Sequence, residues 1–331
     1  MAMSSVDLGA GRKGLWDRLI MGGLLALVVV GLIGLATATG WEETLSQLAK
    51  LTLASVSFLL LLSLANYGMR AVRWHLFARQ LGLETDLGTN SKHYLGGFAM
   101  TVTPGRVGEL IRMRWLRCET GWSFERTAPL ALVDRAADLA AMGLMLGIAV
   151  AFSTMGITMG LPLALMAVSA AIIATRPTLL SAIVSGTYRF TGLFPRLMAR
   201  IRAAARSLSV FSSGRMILLA GTLSVLGWLA EGWAFHLLLV WMGAPLPFWS
   251  AVAIFLFATL AGGLTGAPGG IGGAEAAMVA LLTLEGVPLD VSVAATAVIR
   301  LTTLWFAIGI GFLIFPFTER AAVKARDGLA H

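Results

Sequence analysis

Apolar runs of membrane-spanning length recur along almost the whole chain, and two of them are broken at their centres by proline, glycine and charge. About 20 apolar residues carry a helix across the hydrocarbon core, and inside lipid every backbone polar group must find its partner within the protein. The expected fold class is therefore an all-α polytopic membrane protein. Its 331 residues are 57% hydrophobic and only 13% charged, with a mean hydropathy of +0.83. No soluble domain of useful size fits between the runs, and the chain reads as a single integral membrane domain.

Full spans are expected at about 18–39, 51–70, 127–152, 157–175, 216–242 and 290–315. The first, Ile20 to Ala38, is longer than a signal-peptide core and is taken as a span. Two apolar stretches remain, 93–118 and 248–285. The first is broken by Pro104, Gly105 and Gly108, the second by Pro268, Gly269, Gly270 and Gly272. Apolar segments of half length are more often re-entrant than spanning, so both are expected to be broken hairpins. This gives a first half, 18–152, with hairpin 93–118. A second half, 157–315, contains an amphipathic segment at 177–213 and hairpin 248–285.

The loop charges orient this plan. Arg12, Lys13 and Arg18 precede span one while Glu42 and Glu43 follow it, which places the N-terminus in the cytoplasm. Span two then ends inside, at Arg70, Arg73 and Arg79. The segment Arg176 to Arg215, with seven arginines and no acid, falls inside, as do Arg320, Lys324 and Arg326, while Glu285 and Asp290 fall outside. Each sign agrees with the rule only if both broken stretches are re-entrant, the first opening to the cytoplasm and the second to the outside. The expected location is the cytoplasmic (inner) membrane with both termini in the cytoplasm. The net charge of +8 belongs to these short connections, where orientation and anionic headgroups account for it better than nucleic acid does.

The breaks resemble one another. PGRVGE from Pro104 compares with PGGIGGAE from Pro268, and 14 residues separate Gly121 from Arg135 and Gly286 from Arg300. With opposite openings, the two units form an inverted repeat of the kind secondary transporters use. A charge at membrane depth costs roughly 2.5 to 3.5 kcal/mol even on a lenient scale and needs a partner or a wet cavity. Asp134 and Asp138 share a helix with Arg135, and Glu109 and Glu275 lie just past the breaks, near half-helix N-termini. Two readings stand: structural ion pairs that lock the hairpins, or an anion site in which Arg135 and Arg300 hold a phosphate, oriented by the carboxylates.

Other residues carry less. Glu231 and His236 are candidate proton carriers within one span. Trp74, Trp115, Trp122, Trp241 and Trp249 read as an interfacial belt. Arg189, Arg196, Arg200 and Arg206 alternate with apolar residues in an interfacial helix. Cys118 is the lone cysteine and the four histidines are scattered, so neither a metal nor a cofactor is expected.

NYGMRAVRWHLFARQLG, GGFAMTVTPGRVGELIRMRWL, DRAAD, GAPGGIGGAE and AVIRLTTLW together resemble the lysylphosphatidylglycerol synthase transmembrane-region family, flippase-like integral membrane proteins. The resemblance runs from about Asn66 to the last span. It implies movement of lipids with charged or phosphate-bearing heads between leaflets. By matching motifs it marks Arg73, Arg106, Glu109, Arg112, Asp134, Arg135, Asp138, Glu275 and Arg300. The best-known members carry a soluble aminoacyl-transferase domain after the membrane part; here the chain reads to His331 without one, so lysine transfer is not expected.

The sequence thus points to a translocase for an anionic or phosphate-bearing lipid, a phospholipid or a polyprenyl-phosphate-linked one, and not to an enzyme. One alternative is a non-transporting accessory that scaffolds an envelope-lipid glycosyltransferase. Another is an intramembrane lipid-phosphate enzyme. The expected partners are membrane lipids, together with an envelope-lipid biosynthetic enzyme if the accessory reading holds.

Overall fold

The computed structural model describes residues 46–101, 107–153, 160–176, 208–211 and 213–329, with a few positions between 178 and 186. All regular structure among them is helical. Helix α1 (Leu53–Gln80) is followed by α2 (Leu87–Gly96), a 3-10 turn (Gly97–Met100) and α3 (Val107–Thr120). Then come α4 (Phe124–Phe152) and α5 (Gly160–Thr175). Helix α6 (Gly214–Trp241) leads to α7 (Phe248–Leu264), a 3-10 turn (Pro268–Gly270) and α8 (Gly273–Leu284). Helix α9 (Leu289–Arg300) runs through a π-helical turn (Leu301–Trp305) into α10 (Phe306–Leu329).

Long helix, broken pair, long helix therefore occurs twice, and local chemistry repeats with it. The opening helices α1 and α6 are each 28 residues long. Thr52 caps α1 by accepting from the Ser55 amide, and Ser213 caps α6 by accepting from Met216. Each ends on a glycine with positive φ, Gly82 at 93° and Gly243 at 82°. The next amide closes back onto the helix, Leu83 to Ala78 and Ala244 to Leu239, both at 3.0 Å. That is a Schellman closure, in which glycine relieves the left-handed strain.

Within each broken pair the helices pack on one another. Their arms are pinched at glycines. A Cβ on Gly108 would lie 2.6 Å from the Gly97 carbonyl oxygen, and one on Gly262 would lie 2.6 Å from the Ala274 Cβ. Each hairpin also leans on the closing helix of the other half: α2, its 3-10 turn and α3 pack on α10, while α7 packs on α4. Gly311 of α10 lets the backbone of Ala99 come into close contact. Helix α7 is buried through its middle, with Ala251, Val252, Ala253, Ile254 and Leu256 fully enclosed, so most of its apolar length fills a core, while Leu264 at its end is exposed.

Among the described residues, four helices are long and apolar enough to cross a membrane: Leu53–Gln80, Phe124–Phe152, Gly214–Trp241 and Leu289–Gly328. Of the other two expected spans, 18–39 lies outside the described residues, and the stretch 157–175 appears as the 16-residue α5, shorter than the usual crossing. Most of the amphipathic segment 177–213 is likewise outside them. Three expectations need correction. Arg70 and Arg73 do not end span two; α1 continues to Gln80, and both arginines are buried because acids on α4 face them. The last helix continues well past residue 315, through Pro316 and a polar tail. Trp74 and Trp115 do not belong to a belt, since both are fully buried. Trp115 donates its indole N–H to Glu319 at 2.8 Å and stacks on His93.

Candidate functional site

A cavity of about 470 Å³ lies between the two hairpin breaks. Gly97 and Gly108 reach it from the first hairpin and Gly269 and Gly270 from the second, while Arg135 of α4 and Arg300 of α9 both line it. Each arginine stands eleven residues after the start of its helix. The sequence repeat thus converges on one space.

The second break is built by its backbone. Gly269, Gly270 and Gly272 take φ of 63°, 67° and 84°, the left-handed region that side chains with a Cβ avoid. Glu275, in the first turn of α8, accepts from the Gly272 amide at 2.6 Å through one carboxylate oxygen and from Arg300 Nε at 2.6 Å through the other. Arg300 Nη2 also donates to the Gly269 carbonyl at 2.8 Å. Arg300 is therefore tied to its own hairpin at two points, and Glu275 contacts both the break and the arginine.

The first half arranges its charges differently. Arg73 is fully buried and gives Nη2 to Asp134 at 2.5 Å, and Nη1 to Asp138 at 2.8 Å and to Ser224 at 2.6 Å. Arg70 gives Nη2 to Asp138 at 2.5 Å. Asp138 also lies 3.4 Å from the Trp228 indole N–H. Its contact with Arg135 is looser, 3.6 Å, and Asp134 is 4.0 Å from the same guanidinium. Arg135 keeps 32% of its side chain exposed, against 10% for Arg300. The network binds α1, α4 and α6 together and leaves Arg135 facing the cavity.

Other expected residues fall as follows. Arg73 stands behind the cavity wall, within the ionic network. Arg112 lines the cavity and lies over the rings of Tyr94, Trp74 and Phe98, at 4.1 Å from the first centroid; Gly97 leaves the room its side chain needs. Glu231 lines the cavity and accepts from Asn66 Nδ2 at 2.5 Å. His236 sits elsewhere, edge-on to Phe248, so the two proton-carrier candidates have separate surroundings. Pro104, Gly105 and Arg106 and the side chain of Glu109 lie outside the described residues; Pro268 opens the second turn.

Sequence reasoning missed the part played by Arg70 and Asn66. A signal existed for Arg70: arginines three apart on one apolar helix and aspartates four apart on another form matching faces, and at membrane depth such faces seek each other.

The cavity is also two-sided. Arg70, Arg112, Arg135 and Arg300 lie among its lining residues with Asp138 and Glu231, whereas Leu139, Met142, Leu163, Met166, Ala167 and Leu264 are purely apolar. Met166 and Leu264 are at the same time 45% and 64% exposed on the outer surface. The apolar side therefore reaches a face that a bilayer would cover.

The chain belongs to the lysylphosphatidylglycerol synthase TM region family, whose profile matches residues 19–311. It is an integral membrane protein. Two relatives from Methanothermobacter thermautotrophicus, both described as UPF0104 membrane proteins, are similar to it. One is 24% identical over 343 residues, covering 92% of this chain and 98% of the relative. The other is 33% identical over 122 residues, an alignment that spans 36% of each chain.

Proposed function

We propose that this protein moves an anionic or phosphate-bearing lipid between membrane leaflets. The observation that carries the reading is the two-sided cavity: guanidinium groups and hairpin glycines on one side, hydrocarbon continuous with the exposed surface on the other. A soluble anion has no use for the apolar side, and an uncharged lipid has none for the arginines. A headgroup phosphate between Arg135 and Arg300, with its acyl or prenyl chains leaving past Met166 and Leu264, uses both.

In this reading the two halves form an inverted repeat, the first hairpin opening to the cytoplasm and the second to the outside. Alternating access follows from rocking one half against the other around the shared site. Arg300, fixed to its hairpin, moves with it; Arg135, whose side chain is 32% exposed and lines the cavity, meets the headgroup. The lipid is moved without bond-making, so mass spectrometry should recover it unchanged. The protein sits in the cytoplasmic membrane with both termini inside.

The test is reconstitution. Vesicles holding the purified protein and a fluorescent phosphatidylglycerol in both leaflets are treated with an impermeant quencher, and faster loss of the inner-leaflet signal than in empty vesicles is expected. Arg135→Ala should remove that acceleration while the protein stays inserted. Native protein no faster than empty vesicles, with co-purification of a membrane glycosyltransferase, would favour the accessory role instead.

A further inference from the structure

We infer that Glu231 is a proton-binding site coupled to the headgroup site, so that the cavity takes up a proton together with the phosphate; this rests on the lipid-translocation reading. Three observations meet at this residue. Glu231 is 5% exposed and lines the same cavity as Arg135 and Arg300. It also differs from the other carboxylates of the site: Asp134, Asp138 and Glu275 each have an arginine within 2.8 Å, whereas among the described residues no ion pair within 4 Å is found for Glu231. Its hydrogen-bond partner is an amide, Asn66.

The choice of partner carries the argument. An arginine only donates and holds a carboxylate in its charged form. An amide has both a donor and an acceptor: Nδ2–H serves the carboxylate, and Oδ1 serves the carboxylic acid after the amide turns over. Asn66 is fully buried and its Oδ1 has no hydrogen-bond partner among the described residues, so that acceptor is in reserve. The close approach is built in, because a Cβ on Gly227 would lie 2.6 Å from that same Oδ1. Either protonation state of Glu231 is thus provided for.

The repeat gives independent support. Glu231 is the eighteenth residue of α6, and Arg70 is the eighteenth of α1; the matched caps and closures make these corresponding positions. One half places a permanent cation there, the other a titratable acid. The charged or titratable groups that line the cavity with Glu231 are Tyr67 and Arg70 from α1, Arg112 from α3, Asp138 with Arg135 from α4, and Arg300 from α9; α7, also packed on α6, brings none. With Glu231 ionised, its negative charge competes with a phosphate for Arg70, Arg135 and Arg300. A proton delivered through the cavity to a Glu231 carboxylate oxygen cancels that competition. Proton and anion binding then reinforce each other by the same factor in both directions.

The test uses native protein in weakly buffered detergent, with phosphatidylglycerol and undecaprenyl phosphate added separately. Tryptophan fluorescence reads binding and an indicator dye reads protons. Affinity should strengthen as pH falls, by up to about tenfold per pH unit, with uptake approaching about one proton per lipid bound. Glu231→Gln should bind with a flat pH profile and take up no proton. Lipid binding by native protein without proton uptake overturns the inference and leaves the translocation reading standing, as does a Glu231→Gln variant that keeps the native pH slope. If neither lipid binds native protein at any pH, the translocation reading falls and the inference with it. Should the variant not fold, native proton uptake decides alone.

Discussion

Arg135 and Arg300 occupy corresponding places, yet they are held in opposite ways. Arg300 is fastened to Glu275 and to the Gly269 carbonyl of its own hairpin. Arg135 shares its helix with two aspartates, but those are engaged by Arg70 and Arg73 arriving from α1. The difference shows how two arginines at matched sequence spacing come to be held by different neighbours, one by its own hairpin and the other beside acids already engaged from another helix. The acids beside Arg135 have better-placed competitors, and the acid beside Arg300 has none among the described residues.

The comparison breaks first at Arg73. Arg73→Met removes the cation that joins Asp134, Asp138 and Ser224, leaving buried carboxylates short of their charge partner. Loss of one member of a buried pair costs about 3–5 kcal/mol, so the variant should show the largest fall in thermal unfolding temperature in detergent, or fail to give folded protein. Adding Asp134→Asn should restore part of the loss.

Arg300→Ala comes next. Its removal frees the Gly269 carbonyl and one oxygen of Glu275, and hydrogen bonds to charged groups contribute about 1.5–3 kcal/mol. The effect should be local, seen as faster amide exchange over residues 266–275 while α1 and α4 remain protected. Arg300→Lys should not restore protection, because one ammonium does not reproduce the fork that places Nε on the carboxylate and Nη2 on the carbonyl. Unchanged exchange in both variants would show that the second hairpin holds itself.

The glycines sharpen the contrast between the breaks. At Gly108 the obstacle is steric: an added Cβ meets the Gly97 backbone oxygen at 2.6 Å, and prying apart the hairpin arms should cost about 1–3 kcal/mol. At Gly272 nothing among the described residues lies within 4 Å of an added Cβ, but φ is 84°. Gly272→Ala should therefore cost only the left-handed penalty, about 1–2 kcal/mol. Thermal unfolding of the two alanine variants checks the order; equal losses would mean that the first hairpin relaxes easily.

How much of this was legible depended on whether local sequence carried the information. The helical class, the break at Pro268 and the matched spacing of Arg135 and Arg300 are written locally, in runs of apolar residues and in glycines that only a turn needs. The pairing of Arg70 and Arg73 with Asp134 and Asp138 joins positions more than sixty residues apart, so from sequence alone Arg70 looked like a loop charge and Arg73 stood out only through the family resemblance. Trp74 and Trp115 misled for a related reason. Tryptophan near the end of an apolar run suits an interface, but a neighbouring helix that covers it, as α10 covers Trp115, is a tertiary fact.

The smallest effect on stability belongs to Arg135, and it tests the comparison most sharply. Its contacts with Asp138 and Asp134 are 3.6 and 4.0 Å and its side chain is 32% exposed, so the loss of these two pairs in Arg135→Ala should cost less than about 1 kcal/mol. Ligand response should separate it from native protein. A lipid that binds only the folded state raises the unfolding temperature in proportion to its affinity, so phosphatidylglycerol should stabilise native protein in detergent. Losing one charged hydrogen bond of about 1.5–3 kcal/mol weakens binding by roughly ten- to a hundredfold, enough to remove most of that shift in Arg135→Ala. A variant with native stability and a native lipid-induced shift would show that Arg135 does not meet the headgroup. A strongly destabilised one would show that Arg135, like Arg73, is part of the frame.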